Sequence, residues 1–518
     1  MSIATLADVL STNVADQPDA TAISLDDQSI SWRDLDERSR RAAAALAEAG
    51  IGSQDRVAFI DKNSIEYFEV LFGATHLNAV LVAVNWRLAP PEMEYIVNDA
   101  EAKVLVIHED FAEHLAAFEP NLTHTTTVIV IGASADHTTY ADWLDRPAEL
   151  PSSATAAGAE DVALQLDTSG TTGLPKGAQL TNANFTALLD TASVWGVDAS
   201  CASLAAMPLF HIGGSGWSLF GMANQAHTVL LRDLDPSQVL TLIDRHGITH
   251  AFLVPAVLQF LLMVPRDEID LSTMRLMAYG ASPITEDVLV KSMEMFQCDF
   301  IQLYGLSETT GAVVQLDPED HDPGGPKQHL LRAAGRAMGD VELKIVDPDT
   351  GETLPDDEVG EIWIRSATNM LGYWKLPEAT AASMPGDNWF RSGDAGYLTD
   401  GYLYIHDRVK DMIISGGENI YPAEIENVLM RMDAIADCAV IGVPDDKWGE
   451  TPKAIVIPVP DAEITETEIL EHCRANLARF KCPTSVDFVA DIPRNPSGKV
   501  LKRELREPYW EGVDRNVG

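Results

Sequence analysis

At 518 residues the chain is longer than one hydrophobic core supports, a limit near roughly 250 to 300 residues, so two or more packed units are expected. An apolar fraction of 46%, 22% charged residues and a mean hydropathy of -0.02 are those of a folded globular protein and exclude extensive disorder. With 79 acidic against 36 basic residues the formal charge is -43, which repels nucleic acid and anionic lipid; the acids are scattered, so a solvated surface, salt-adapted or not, explains them.

The five cysteines, Cys201, Cys298, Cys438, Cys473 and Cys482, are odd in number, far apart and without metal-ligand spacing, which points to a reduced, cytoplasmic setting. Residues 1–17 carry Asp8 and Asp16 and lack the basic and apolar regions of a signal peptide. No stretch approaches the ~18 apolar residues of a membrane span, so membrane contact is at most peripheral. A homodimer stays open.

In chain order, Ser31 and Asp34 make a cap-like start to an amphipathic helix that Gly50 stops. A strand over 56–60, a helix over 64–77 and strands over 79–84, 103–107 and 127–131 follow. The alternation continues through a strand at 229–231, a helix at 236–246, a strand at 250–254 and a helix near 256–263. Strands alternating with helices imply parallel, doubly wound sheets. After about residue 330 short β segments at 341–346 and 360–364, with Gly, Pro and Asp turns, suggest a β-rich subdomain. Beyond Arg408 come strands at 438–443 and 454–458 and a helix from Thr465 to Ala478, which Thr465 and Glu468 open as a capping box. The predicted fold is therefore α/β: a large domain over 1–407 and a small α+β domain over 408–518, with no internal repeat or low-complexity tract.

The most informative stretch is Thr168-Ser169-Gly170-Thr171-Thr172-Gly173-Leu174-Pro175-Lys176-Gly177. Its three glycines, four hydroxyl side chains and one lysine offer open backbone N–H groups, hydroxyl donors and a positive charge, a set suited to a polyphosphate. It is not a Walker A loop, because Pro175 precedes Lys176 and Gly177 follows it. By itself a Gly/Ser/Thr loop is as readily a flexible surface connection.

Three further motifs change that balance. They are Gln302-Leu303-Tyr304-Gly305-Leu306-Ser307-Glu308-Thr309, Ser392-Gly393-Asp394 with Asp407-Arg408-Val409-Lys410-Asp411, and Pro493-Arg494-Asn495-Pro496-Ser497-Gly498-Lys499-Val500. Together with the loop they resemble, in order and over nearly the whole chain, the superfamily of adenylate-forming enzymes: acyl- and aryl-CoA synthetases, adenylation domains and luciferases. The resemblance implies a small C-terminal domain that moves, and ATP, Mg²⁺ and coenzyme A as reactants. It assigns Thr168 to Gly173 and Lys176 to the phosphates, Gln302, Tyr304, Gly305 and Ser307 to the nucleotide with Tyr304 on adenine, and Glu308 to magnesium. One well-placed carboxylate suffices for Mg²⁺ delivered with ATP.

By the same resemblance Asp394 accepts from the ribose hydroxyls, Arg408 donates to ribose or α-phosphate, and Lys410 is the hinge. Lys499 offsets the repulsion between an attacking carboxylate and the α-phosphate, a role that rests on the resemblance alone. Ser415, Gly416, Gly417 and Glu418 resemble the segment that approaches the pantetheine arm of CoA.

In Phe210-His211-Ile212-Gly213-Gly214-Ser215-Gly216-Trp217, His211 stands where amino-acid adenylation domains carry an aspartate for the substrate ammonium, so an amino acid is disfavoured. No segment is inserted near the domain junction, as it is in the fatty acyl-AMP ligases that load carrier proteins. Transfer to CoA fits better. Small residues Gly213, Gly214 and Ser215, with Gly280 and Ala281 of the adenine floor and acyl wall, suit a medium- to long-chain fatty acid beside His211. Ser215 occupies the position of a gating tryptophan in some long-chain synthetases, with Trp217 two residues on. Asp167 departs from the apolar or aromatic residue usual before the phosphate loop. Aryl-propenoic (cinnamate-like) and steroid-side-chain acids, a luciferase-like oxygenase and a silent nucleotide-binding protein stay open as alternatives.

Overall fold

The computed structural model describes residues 3–150, 154–169, 174–266, 269–348, 350–408, 411–415, 418–445, 447–460, 462–494 and 500–510. Two large sheets organise the first 370 residues or so. In the nine-stranded sheet, Thr21–Leu25, His227–Leu230, Ala202–Ala205, His250–Leu253, Leu276–Gly280 and Asp299–Leu306 run parallel in that spatial order. Antiparallel strands close its edges, Gln28–Ser31 on one side and Gly311–Leu316 then Arg336–Ala337 on the other. The eight-stranded sheet has the order Gly372–Tyr373, Pro175–Thr181, Val162–Ser169, Val80–Ala83, Arg56–Ile60, Val104–His108, Thr127–Ile131, Thr138–Thr139.

The parallel cores of both sheets match the expectation of doubly wound sheets, and their edges do not. The segment carrying the phosphate loop returns as a hairpin, Val162–Ser169 against Pro175–Thr181, with Thr168 opposite Lys176. A parallel return would need a crossover of about a dozen residues or more, and the loop is too short to supply one.

Helices Trp32–Glu48 and Ile65–His76 share one core with both sheets, burying Trp32, Leu35, Leu46, Phe68 and Phe72. Ser31 caps the first by accepting from the Asp34 amide at 3.1 Å, and Gly50 ends it at φ +85°. The two helices approach closely at Gly73, where a Cβ would lie 2.9 Å from that of Ala42.

Glu342–Val346, Gly360–Arg365, Trp389–Thr399 and Tyr402–Arg408 form a four-stranded antiparallel sheet, the expected β-rich subdomain. Arg408 is the last residue of that sheet. Beyond it a separate sheet of Glu418–Ile420, Ile413–Ser415, Gly449–Pro458 and Ile435–Asp445, with Ser485–Phe488 beside it, has its own core around Ile425, Val440, Val456 and Ile469. Helix Glu466–Asn476 opens on Thr465, which accepts from the Glu468 amide, as the sequence predicts. The molecule is thus a large N-terminal and a small C-terminal domain.

Candidate active site

Four parallel strands carry site segments at their carboxyl ends. These are Val162–Ser169 with the phosphate loop, Ala202–Ala205 followed by His211, Leu276–Gly280, and Asp299–Leu306 followed by Glu308. Ligands of open α/β sheets bind there. The Tyr304 hydroxyl donates to Asp394 Oδ2 at 2.8 Å, joining residues 90 positions apart. The residues expected at the base and at the ribose of one nucleotide are thus neighbours. Asp394 is itself fixed by its amide, which donates to Ser392 Oγ at 3.0 Å, and the Ser392 hydroxyl donates to Ile362 O at 2.7 Å. Arg408 pairs across the sheet with Asp394, so the two residues expected at the ribose are strand neighbours.

The phosphate side is built around a residue that sequence reasoning passed over. Lys176 Nζ lies 4.3 Å from the Tyr373 ring centroid, and the Tyr373 hydroxyl donates to Glu308 Oε1 at 2.9 Å. One phenol therefore holds Lys176 and Glu308, the expected phosphate and magnesium residues, on either side of itself. Nothing in the Gly372-Tyr373 pair signals this, because the contact depends on that short strand adding to the edge of the loop hairpin. Glu308 is nine-tenths buried, and a carboxylate accepts more hydrogen bonds than the one from Tyr373, so this donor suits a hard cation arriving with phosphate.

Backbone closeness explains the glycines of the adenine floor. A Cβ on Gly280 would lie 2.0 Å from Leu303 O, and one on Gly305 would lie 1.8 Å from Gly311 O. Ala281 has φ +66°, the left-handed region that ordinary residues rarely adopt. Behind them Tyr279 is buried with its hydroxyl 3.0 Å from His321 Nε2 and 3.5 Å from Gln302 Oε1.

His211 precedes helix Ile212–Ala223, and its carbonyl accepts from the Gly214 and Ser215 amides and the Ser215 hydroxyl. Its ring is 4.5 Å from that of Phe210. The room expected at Gly213 and Gly214 is already occupied: a Cβ would meet the Phe252 ring at 2.9 Å and Pro208 O at 2.2 Å respectively. These glycines serve close packing, which leaves buried Ser215 as the small side chain of the set. Trp217 is packed against Trp195, Phe220 and Phe252, with centroids 5.8 to 6.0 Å apart.

Gly170, Thr171, Thr172, Gly173, Lys410, Gly416, Gly417 and Lys499 lie outside the described residues, as do the side chains of Ser169, Arg408 and Glu418.

Residues 10–374 match the family model for AMP-binding enzymes, and residues 424–499 match the AMP-binding enzyme C-terminal domain. The chain belongs to the AMP-binding enzyme family. Among relatives of this AMP-binding enzyme, the fatty acid–[acyl-carrier-protein] ligase ScoC of Streptomyces coeruleorubidus is 37% identical over 523 residues, spanning 99% of this chain and 98% of that one. The long-chain-fatty-acid–CoA ligase FadD13 of Mycobacterium tuberculosis is 36% identical over 493 residues, 94% of this chain and 95% of that one. The crystal structure of the anthranilate CoA ligase AuaEII with anthranoyl-AMP superposes with a TM-score of 0.89 at 29% identity, covering 98% of this chain and 97% of that one. ATP, Mg²⁺ and CoA are the reactants that fit an AMP-binding enzyme with this site. Among the described residues no helix is long and apolar enough to cross a membrane.

Proposed function

We propose that this AMP-binding enzyme activates a medium- to long-chain fatty acid as its acyl-adenylate and transfers the acyl group to CoA. The observation that carries the reading is the joined nucleotide site: Tyr304 bonded to Asp394, and Lys176 and Glu308 bracketing Tyr373. The fatty-acid choice is supported by ScoC and FadD13, both named for fatty-acid substrates.

In the first half-reaction a carboxylate oxygen attacks the α-phosphorus of ATP and pyrophosphate leaves. Lys176 and the backbone and hydroxyl groups of Thr168 to Gly173 hold the phosphates, while Asp394 and Arg408 fix the ribose. Lys499 stands between the two anions that must approach. Mg²⁺, when bound, would screen phosphate charge beside Glu308. In the second half-reaction the CoA thiol, admitted beside Ser415, Gly416, Gly417 and Glu418, attacks the acyl carbonyl and AMP departs. Lys499 and the CoA segment sit on one small domain and are needed at different moments, so rotation about Lys410 supplies the exchange.

Two competing readings each have an observation behind them. AuaEII favours an aromatic acid, and ScoC favours a carrier-protein thiol as acceptor. Incubation with ATP, Mg²⁺ and a panel of fatty, cinnamic, anthranilic and steroid-side-chain acids, with either CoA or a holo acyl carrier protein, separates them by mass spectrometry of the thioester. Fatty acyl-CoA is the expected product. An aromatic thioester, or acyl transfer only to the carrier protein, replaces the proposal with the corresponding alternative, and absence of any adenylate or thioester means a nucleotide-binding protein without this activity.

A further inference from the structure

Asp167 occupies the strand position immediately before the loop motif and pairs with Gly177 across the hairpin. Strand alternation puts it on the same face as Gln165 and opposite to Lys176, whose neighbour is Tyr373. That face is sealed. Gln165 is fully buried with neither amide atom hydrogen-bonded, and a Cβ on Gly177 would lie 2.2 Å from Gln165 Nε2. Asp167 is half-buried as a residue, yet its Oδ2 is shut off from solvent and has no hydrogen-bond partner.

Among the described residues, the groups packed against this face offer Asp167 no cation. Helix Pro90–Asp99 contributes Asp99 and Tyr95, both raised chiefly by burial; Lys375 opposes the rise at Asp99, and Asp99 and Asp167 add to it at Tyr95. Trp374 closes the side, its amide donating to Gly177 O at 2.8 Å and its indole N–H to Asp99 O at 2.9 Å. Lys375 spends its ammonium on Asp99 O at 3.2 Å and on Glu101 Oε1 at 2.7 Å. Arg56 lies over the Trp374 ring and donates to Gln179 Oε1 at 3.2 Å. Burial, with a smaller contribution from Asp99, pushes the Asp167 carboxyl up to about 7. A strand with a carboxyl so placed delivers either a neutral or an anionic group to the base of a loop meant for a polyphosphate.

We propose that Asp167 tunes ATP binding: neutral, it leaves the triphosphate unopposed, and ionised, it repels the triphosphate, so that ATP binding is coupled to one proton. The inference rests on the reading of residues 168–177 as the triphosphate cradle. Because ATP prefers the protonated form, the KM for ATP climbs as pH rises above about 7, approaching tenfold per unit beyond the midpoint until the ionised form's own affinity sets a plateau.

The test is acid-dependent pyrophosphate exchange from pH 5.5 to 9 at saturating acid and Mg²⁺, with wild type, Asp167→Asn and Asp99→Asn. ATP's own ionisation is common to all three and cancels in their ratio. The expected result is a wild-type KM for ATP that exceeds that of Asp167→Asn about tenfold at pH 8.5 and converges with it at pH 6, while the ratio of their maximal rates stays constant with pH. In Asp99→Asn the rise begins at lower pH, since removing a like charge makes Asp167 easier to ionise. Parallel wild-type and Asp167→Asn profiles overturn the proposal. If Asp167→Asn does not fold, an Asp99→Asn profile that coincides with wild type overturns it instead. Absence of exchange at every pH in wild type overturns the underlying reading of the loop.

Discussion

Single hydroxyls and single missing Cβ atoms define the nucleotide site. Removing the Tyr304 hydroxyl takes away a hydrogen bond to a carboxylate, worth about 1.5 kcal/mol, or close to tenfold in an equilibrium. Tyr304→Phe should therefore lower the free energy of unfolding by about that amount, as read by urea titration. An unchanged unfolding free energy would show that this bond does not hold the two residues together. Gly305→Ala is the opposite case, because its Cβ would overlap Gly311 O and the neighbouring strand must move. Overpacking of this kind costs roughly 1 to 3 kcal/mol, so the variant should unfold at lower urea concentration than wild type, and an unchanged midpoint would contradict the geometry. Tyr304, Asp394, Lys176 and Glu308 could be singled out in the sequence because each sits in a motif that resembles the family's, and their roles belong to the proposed function. Tyr373 and the closed face around Asp167 were not, since they arise from strands that meet only after the sheet edge forms.

At the level of elements, caps carried most of the readable information. Ser31/Asp34 and Thr465/Glu468 announce their helices because side-chain oxygens satisfy amides that a helix start leaves open. Sheet edges were harder, because strand direction is decided by loop length and tertiary pairing instead of by the strand's own residues. The packing of helix Ile65–His76 on Trp32–Glu48 makes a pH prediction. Burial, aided by Arg40 and opposed by Asp36, pushes His76 down to about 4 from an ordinary 6.5. The unfolded chain then binds more protons between those values, so the stability held above pH 6.5 is lost as pH falls through the window. His76→Gln should lessen the slope of unfolding free energy against pH between 4.5 and 6.5, measured by urea titration. A slope equal to that of wild type would show that His76 does not titrate as a neutral buried ring.

For the whole molecule, the two-domain plan was visible as a smaller block beyond Arg408, and Arg408, expected to open the small domain, is the last residue of the large domain's final strand. What the sequence could not supply was the acyl pocket, since Gly213 and Gly214 read as open space but are filled by Phe252 and the 207–208 backbone. Lys499 belongs to the same scale, because the proposed function requires it to act from the small domain on the large domain's site. Lys499→Ala should lower adenylation roughly 10²- to 10³-fold while thioester formation from supplied acyl-adenylate falls far less, and equal losses in both half-reactions would remove its assigned role.

The proposed reaction begins with a carboxylate oxygen attacking the α-phosphorus of ATP. When the thiol later displaces AMP at the acyl carbon, that oxygen leaves with the nucleotide. With a carboxylic acid labelled with ¹⁸O in both oxygens, mass spectrometry of the products should find one labelled oxygen in AMP and none in pyrophosphate. Label in inorganic phosphate with ADP as co-product, or unlabelled AMP beside a formed thioester, would contradict the mechanism.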